Sequence, residues 1–261
     1  MDVQSRKKII AESKSIVIYS GNVLFKVLAN SEEICDSFCG TLERWIHSGE
    51  GLSHQQTSDQ LYLSCEDNTL DSESSKDLKI LLKVFLIEKK PEAVEHAVKN
   101  VIQELKCQKV DSVIVSLPDD KTTSKSFQKV PFTQVQDVWQ VMENLVDQGL
   151  VEQLGICDFD ADSLKDLYNN AKIKPVKNQI NLANCCTPPD DLAAFAAEND
   201  IRLFTHNDPK NILPQQTSNA ILSNLNNGGE WTALYIARYS SVVQLREIVK
   251  NKGYFLYLQK T

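Results

Sequence analysis

"LKILLKVFLIEKKPEAVEHAVKNVIQELKCQKVDSVIVSLP", residues 78–118, decides the fold class. Its opening part, 78–88, is a nearly continuous apolar run of strand length. Pro91 then opens a segment in which Val94, Ala97, Val98, Val101, Ile102 and Leu105 recur at the i, i+3, i+4, i+7 spacing of a helix with one apolar stripe. A second short apolar run, Val113, Ile114 and Val115, ends at Ser116 and passes through Leu117 to the turn residue Pro118. Strand, helix and strand with short connections make a βαβ unit, whose two strands lie parallel.

The alternation continues downstream. Val135, Val138, Trp139, Met142, Leu145 and Val146 mark a second helix that stops at Gly149, where a left-handed residue ends the spiral without a Cβ clash. "LVEQLGICDF" is the next strand, and Asp160 or Asp162 caps a short helix bearing Leu164, Leu167 and Tyr168. "KPVKNQINLA" is a strand, "PPDDLAAFAAEN" a helix with Pro at its start and acids in its first turn, and "DIRLFTH" a strand again. In the first 78 residues, "SIVIYSG" reads as a strand and "SEEICDSFCGTLERWIH" as a helix with Ile34, Phe38, Leu42 and Trp45 inward. The stretch 64–77 reads as a solvated acidic loop, and helical patterns lie near 218–225 and 241–251. The repeat suits a (β/α)8 barrel or a doubly wound sheet, and 261 residues favour the barrel. Because no Pro/Gly/Ser linker divides the chain, one domain over 1–261 is expected, with a divergent N-terminal third.

Composition narrows the function classes. A hydrophobic content of 42% with 24% charged residues is that of a folded globular chain. A net charge of −7 argues against a nucleic-acid surface, which needs a basic stripe. No apolar run reaches the roughly 20 residues that span a bilayer, and "MDVQSRKKIIAESKS" lacks a signal-peptide core. Seven cysteines, an odd number without a secretion signal, point to reduced thiols in the cytosol. Cys35 and Cys39 share one helix face, but no histidine or further pair follows at a zinc spacing, and the histidines at 47, 54, 96 and 206 are scattered. No metal is expected.

The stretch from Trp139 to Lys210 resembles the aldo-keto reductase family, through "WQVMENLVDQGLVEQLGICDFDADSLKDL" and the Asn-Gln strand "AKIKPVKNQINL". Within it, "NQINLANCCTPPDDLAAFAAENDIRLFTHNDPK" and "RYSSVVQLREIVKNKGY" are similar to a divergent branch, the modifier (regulatory) subunits of glutamate–cysteine ligase. The resemblance implies an aldo-keto-reductase-type barrel that binds the ligase catalytic subunit in a cytoplasmic heterodimer. There it would improve glutamate and ATP use and relieve glutathione feedback in glutathione biosynthesis. The alternatives are an NADP-dependent aldo-keto reductase with displaced catalytic residues and an NADPH-sensing scaffold.

Reductase chemistry of that family needs a tyrosine acid, a lysine–aspartate pair that lowers its pKa, and a histidine that orients the carbonyl. The histidine position is occupied by Ser116, and Lys89 falls where the lysine is expected, although a solvated lysine at a strand end is the plainer reading. In "DQLYLSC" the position five beyond Asp59 is Ser64, and Tyr62 is out of spacing. The catalytic set therefore reads as degenerate, and the chain as a regulator without its own chemistry. The resemblance also places a vestigial nicotinamide pocket at Cys157, Asp158, Gln179 and His206, of which only Gln179 keeps the family's residue. No Lys/Arg-rich signature for an adenosine 2′-phosphate stands in 230–250, so no cofactor is assigned, with residual NADP(H) binding as the alternative.

Other residues carry two readings each. Cys185 and Cys186 are candidates for a redox or partner contact, beside the simpler reading of buried structural thiols. Cys157 is a sensor thiol or a packed cysteine at the barrel mouth. His206-Asn207-Asp208-Pro209 is a catalytic fragment or, more simply, a turn leading into a helix with His206 hydrogen-bonded in the pocket. Lys121–Lys129 is a solvated basic loop or a partner contact, and Trp231 and Tyr235 are interface anchors or core.

Overall fold

A computed structural model describes residues 1–24, 30–65, 78–118, 129–181, 187–225, 229–243 and 248–261. The chain runs through α1 (Val3–Glu12), β1 (Ser15–Tyr19), α2 (Asn30–His47), β2 (Leu52–Gln56), β3 (Gln60–Cys65) and β4 (Leu78–Leu86). It continues through α3 (Glu92–Leu105), β5 (Val110–Ser116), α4 (Phe132–Asp147), β6 (Val151–Cys157), α5 (Ala161–Asn170) and β7 (Lys177–Asn181). The last elements are α6 (Asp190–Glu198), β8 (Arg202–His206), α7 (Gln215–Ser223), β9 (Trp231–Val243) and β10 (Ile248–Lys260). These form two compact units, Met1–Lys79 with Asn211–Thr261, and Ile80–Lys210. Of the solvated acidic loop expected at 64–77, Ser64 and Cys65 are instead the buried end of β3, because they pair with β2; residues 66–77, residues 121–128 of the basic loop, and Cys185 and Cys186 lie outside the described residues.

The unit Ile80–Lys210 is the βα repeat read from the sequence. Its strands lie in the order β4-β5-β6-β7-β8, every neighbouring pair parallel, with one helix among the described residues of each connection. The registers align Lys83 with Ile114, Gly155, Lys177 and Arg202, and Cys157 with Gln179 and Phe204 two residues on. Alternation along a strand puts all of these on one face. The opposite face carries Leu82, Val84, Val113, Val115, Leu154, Ile156 and Ile180, all buried, and meets the apolar stripes of the helices, with Val94, Val98, Trp139, Met142, Leu164 and Leu167 equally buried. Local chemistry sets the helix ends. Asp160 caps α5 by accepting from Ser163 N–H at 2.8 Å, and Gly149 takes φ +72° after α4.

The sheet is strongly curled. Lys83 of β4 reaches Asp208, just past β8, with Nζ–Oδ2 at 2.8 Å. Four strand-to-strand steps in a flat sheet would separate them by about 19 Å. The polar-bearing face is therefore the concave one, as in a barrel wall. Gly155 sits where that wall is tightest: a Cβ there would stand 2.9 Å from Lys177 Cβ and 3.0 Å from Ile114 Cγ1.

The other unit departs from the βα repeat, as the divergent N-terminal third leads one to expect. Its order is β2-β3-β1-β10-β9, with β1 parallel to β3 and the other pairs antiparallel. Ile34, Phe38, Leu42 and Trp45 of α2 are buried as the helical spacing predicts. Arg6 of α1 donates to Ile46 O at 3.3 Å and Ser48 O at 2.9 Å, satisfying carbonyls at the end of α2. Tyr19 and Tyr239 share a hydroxyl–hydroxyl bond of 2.8 Å beside Phe255.

Three expectations need correction or refinement. The helical pattern near 241–251 is instead the end of β9 and the start of β10, because Ser240–Val243 pair with residues 248–252 in a long antiparallel hairpin. Tyr62 belongs to β3, paired with Val17 and Gln55, in the unit that does not contain the parallel sheet. No helix starts at Pro209; the next helix, α7, begins at Gln215 after Pro214. Trp231 and Tyr235 are buried in β9, which favours their core reading.

Candidate functional site

Ser116, Cys157, Gln179 and His206 all lie on the concave face, at or near the C-terminal ends of β5 to β8. Catalytic and binding groups of parallel α/β sheets gather at that edge. The structure joins Cys157, Asp158 and His206 closely. His206 Nε2 lies 3.1 and 3.2 Å from the Asp158 carboxylate oxygens and 3.3 Å from Cys157 Sγ. The thiol donates to Asp158 Oδ2 at 3.2 Å.

Backbone geometry explains how adjacent residues converge. Successive side chains of a strand point to opposite faces. Asp158 escapes this with φ +59°, a left-handed state that aspartate tolerates better than most residues. Its N–H donates to Gln179 O at 2.7 Å, and its Oδ1 accepts from Asn181 N–H at 2.8 Å. The carboxylate is thus held by β7 as well as by His206.

The network extends inward through Asp208, offered by the sequence only within the His206–Pro209 fragment, and through Lys83, which the sequence did not single out. Asp208 Oδ2 lies 3.3 Å from His206 Nδ1 and 2.8 Å from Lys83 Nζ. The Lys83 and Asp208 side chains are only 5% and 3% exposed. Burial on its own lowers the His206 pKa, but hydrogen bonds with Asp158, Asp208 and Cys157 outweigh it and raise the value to about 11. At neutral pH the ring is an imidazolium, so Nδ1–H donates to the Asp208 carboxylate. The alternative, Asp208 N–H donating to an unprotonated Nδ1 at 3.2 Å, belongs to the neutral ring. Lys83, Asp208, His206 and Asp158 form a chain in which basic and acidic side chains alternate, so that each has a neighbour of the opposite kind.

Lys89 stays apart. It is exposed and donates to Gln134 Oε1 at 3.3 Å, whereas Lys83, six residues earlier, and Lys177 stand on the concave face. One signal in the sequence could have found Lys83. A lysine inside the apolar run LKILLKVFL must be buried with a partner or point out to water. Gln179 Oε1 is buried without a hydrogen-bond partner. Cys35 and Cys39 of α2 are free thiols with sulfurs 3.7 Å apart, and burial, then the bond to Cys35, pushes Cys39 up to about 12. No described helix is long and apolar enough to cross a membrane.

The model of the Aldo/keto reductase family matches residues 54–207. The glutamate–cysteine ligase regulatory subunit of Homo sapiens is 29% identical to this chain, over 99% of this chain and 98% of that one. The glycerol 2-dehydrogenase (NADP(+)) of Hypocrea jecorina is 33% identical over 48% of this chain and 43% of its own. Among solved structures, the aldose reductase of Giardia lamblia matches with a TM-score of 0.39 and 24% identity, over 66% of this chain and 52% of that one.

Proposed function

We propose, for a chain that belongs to the aldo/keto reductase family, a regulatory role: it binds the catalytic subunit of a glutamate–cysteine ligase and tunes it without chemistry of its own. The observation that carries this reading is the extent of the similarity. It runs over 99% of this chain and 98% of the human regulatory subunit, whereas the match to the dehydrogenase stops at about half of each chain.

The site supports the same reading. Hydride transfer to a carbonyl needs an acid and an orienting donor at the C-terminal edge of the sheet. Here Ser116 ends β5, Lys89 is spent on Gln134 in solvent, and Lys83, which does stand on the concave face, is paired with Asp208. Cys157, Asp158 and His206, which the family resemblance aligns with the nicotinamide pocket, bond to one another. A cytoplasmic heterodimer that works without a bound dinucleotide fits this arrangement. Its noncovalent interface needs neither Cys185 nor Cys186.

A regulator of this kind acts by binding one conformation of its partner better than another, so its effect is limited by that difference. Added to the isolated ligase catalytic subunit, the chain should raise the glutathione inhibition constant and lower the glutamate KM. Linkage requires that glutathione weaken association of the two chains by the same factor, within the roughly 5- to 150-fold usual for allosteric coupling. Titration of the two chains with and without glutathione tests this. Absence of association, or association with unchanged kinetics, would overturn the role. The partial match to an NADP-dependent dehydrogenase favours a second reading, a displaced reductase. Steady NADPH-dependent carbonyl reduction that Lys89→Met abolishes would establish it instead.

A further inference from the structure

The curled parallel sheet of the unit Ile80–Lys210 brings together donor atoms that the sequence keeps 48 and 49 residues apart. We propose that Cys157, Asp158 and His206 form a binding site for a zinc-class divalent cation, with Asp208 as the positioning carboxylate behind the histidine. This goes beyond the regulatory role and does not depend on it.

Geometry is the first support. Sγ, Nε2 and Asp158 Oδ2 form a nearly equilateral triangle with sides of 3.3, 3.2 and 3.2 Å. Tetrahedral zinc bonds of about 2.0 Å to N and O and 2.3 Å to S set such donors roughly 3.3–3.6 Å apart. An ion slightly above the triangle needs each edge to widen by only a few tenths of an ångström. The donor set also suits the ion, since thiolate and imidazole select zinc over magnesium or calcium.

The surroundings are those of a metal site. A metal-bound imidazole usually gives its other N–H to a carboxylate, which fixes the ring and makes the ligand nitrogen more basic. His206 does so with Asp208, and Asp208 is itself anchored by buried Lys83. The Asp158 carboxylate is oriented in turn by Asn181 N–H on its free oxygen. Gln179, between β6 and β8 on the same face, contributes a buried oxygen without a partner. The Cys157 side is closed and Asp158, with 18% of its side chain exposed, is the entry.

Charge balance permits the exchange. Without metal the Cys157 thiol donates to Asp158, and His206 Nε2 lies against the same carboxylate. Binding forms metal–sulfur, metal–nitrogen and metal–oxygen bonds, breaks the S–H and Nε2–H bonds, and releases both protons to water. A doubly charged ion thus takes the place of two protons.

The test is titration of the EDTA-treated full-length chain with Co²⁺ and Zn²⁺. One equivalent of Co²⁺ should give a thiolate-to-cobalt charge-transfer band together with the visible bands of four-coordinate cobalt, and Zn²⁺ should displace it. Cys157→Ser and His206→Gln should each remove the signal, checked for folding by circular dichroism. A variant with Cys35, Cys39, Cys185 and Cys186 changed to Ser should keep it. Asp208→Asn should keep the band position but weaken binding about 10- to 100-fold, the signature of a positioning residue. No thiolate band in the unmodified chain, or a band that survives Cys157→Ser, overturns the site. If the ligand variants fail to fold, anomalous diffraction from zinc-soaked crystals of the unmodified chain decides: density at the triangle supports the site, and density elsewhere refutes it.

Discussion

Lys83→Met removes a buried ammonium while keeping most of the side-chain volume, and leaves the Asp208 carboxylate facing the concave side with one cation fewer. Both side chains are nearly inaccessible, so water cannot replace the lost partner. Breaking a buried pair from one side typically costs about 3–5 kcal/mol. Asp208 keeps His206 at 3.3 Å on its other flank, which places the expected loss near the lower end, about 3 kcal/mol. In urea, with a slope of about 2 kcal/mol per molar, that is a midpoint shift of roughly 1.5 M. The exposed Lys89→Met is the matched control and should move stability by no more than about 0.5 kcal/mol. Lys83→Met combined with Asp208→Asn removes both charges and should recover part of the loss, since no buried carboxylate is then left with a missing partner. Equal midpoints for Lys83→Met and Lys89→Met would mean that water reaches the pair. The curled sheet and the alternating charge chain would both have to be abandoned.

The histidines should separate by ring NMR. In the metal-free chain His206, raised to about 11 by its hydrogen bonds against the effect of burial, should remain protonated at pH 8, whereas His96, lowered by burial and then by Lys99, should titrate below the ordinary imidazole value. Since the folded pKa of His206 lies above 6.5, its contribution to stability is complete below about 6.5, declines as pH rises, and is lost beyond about 11; a flat stability profile between pH 7 and 10 would contradict the network. Gly253→Ala should lower the melting temperature of the metal-free chain, because its Cβ would meet Tyr239 Cε1 at 2.5 Å and the backbone oxygen of Gly21, an overpacking worth roughly 1–3 kcal/mol. Purified chain with NADPH should reduce no common aldehyde or ketone, and turnover above a no-protein blank would argue for the displaced reductase.

The parallel unit was legible because its signals are local. Apolar runs of strand length, one-faced helical spacing, Asp160 at a cap and Gly149 at a stop each act within a few residues. The hairpin of β9 and β10 was not, because Val242 and Val249 fit a helical spacing until a partner strand fixes their alternation. The site was half legible. The family resemblance pointed to Cys157, Asp158, Gln179 and His206, and the pattern alone placed His206 at a hydrogen-bonded turn. Lys83 and the role of Asp208 stayed hidden for different reasons. Lys83 sits within an apolar run that reads as strand whatever its charge does, and Asp208, named only within the His206–Pro209 fragment, sits in an Asn-Asp-Pro sequence that reads more simply as a turn. Their contact joins positions 125 residues apart, and no local rule connects them.

That separation has a kinetic meaning. The Lys83–Asp208 contact closes only when β5, β6, β7 and β8 have been laid down in order, because their combined curvature brings the two ends together. A contact that demands so much prior loop closure forms late, downstream of any nucleus built from neighbouring βα pairs. Interactions missing from the transition state act on the unfolding barrier and leave the folding barrier nearly untouched. The buried pair therefore works as a latch on the finished sheet. It adds little to how fast the strands assemble, and it governs how long they stay assembled.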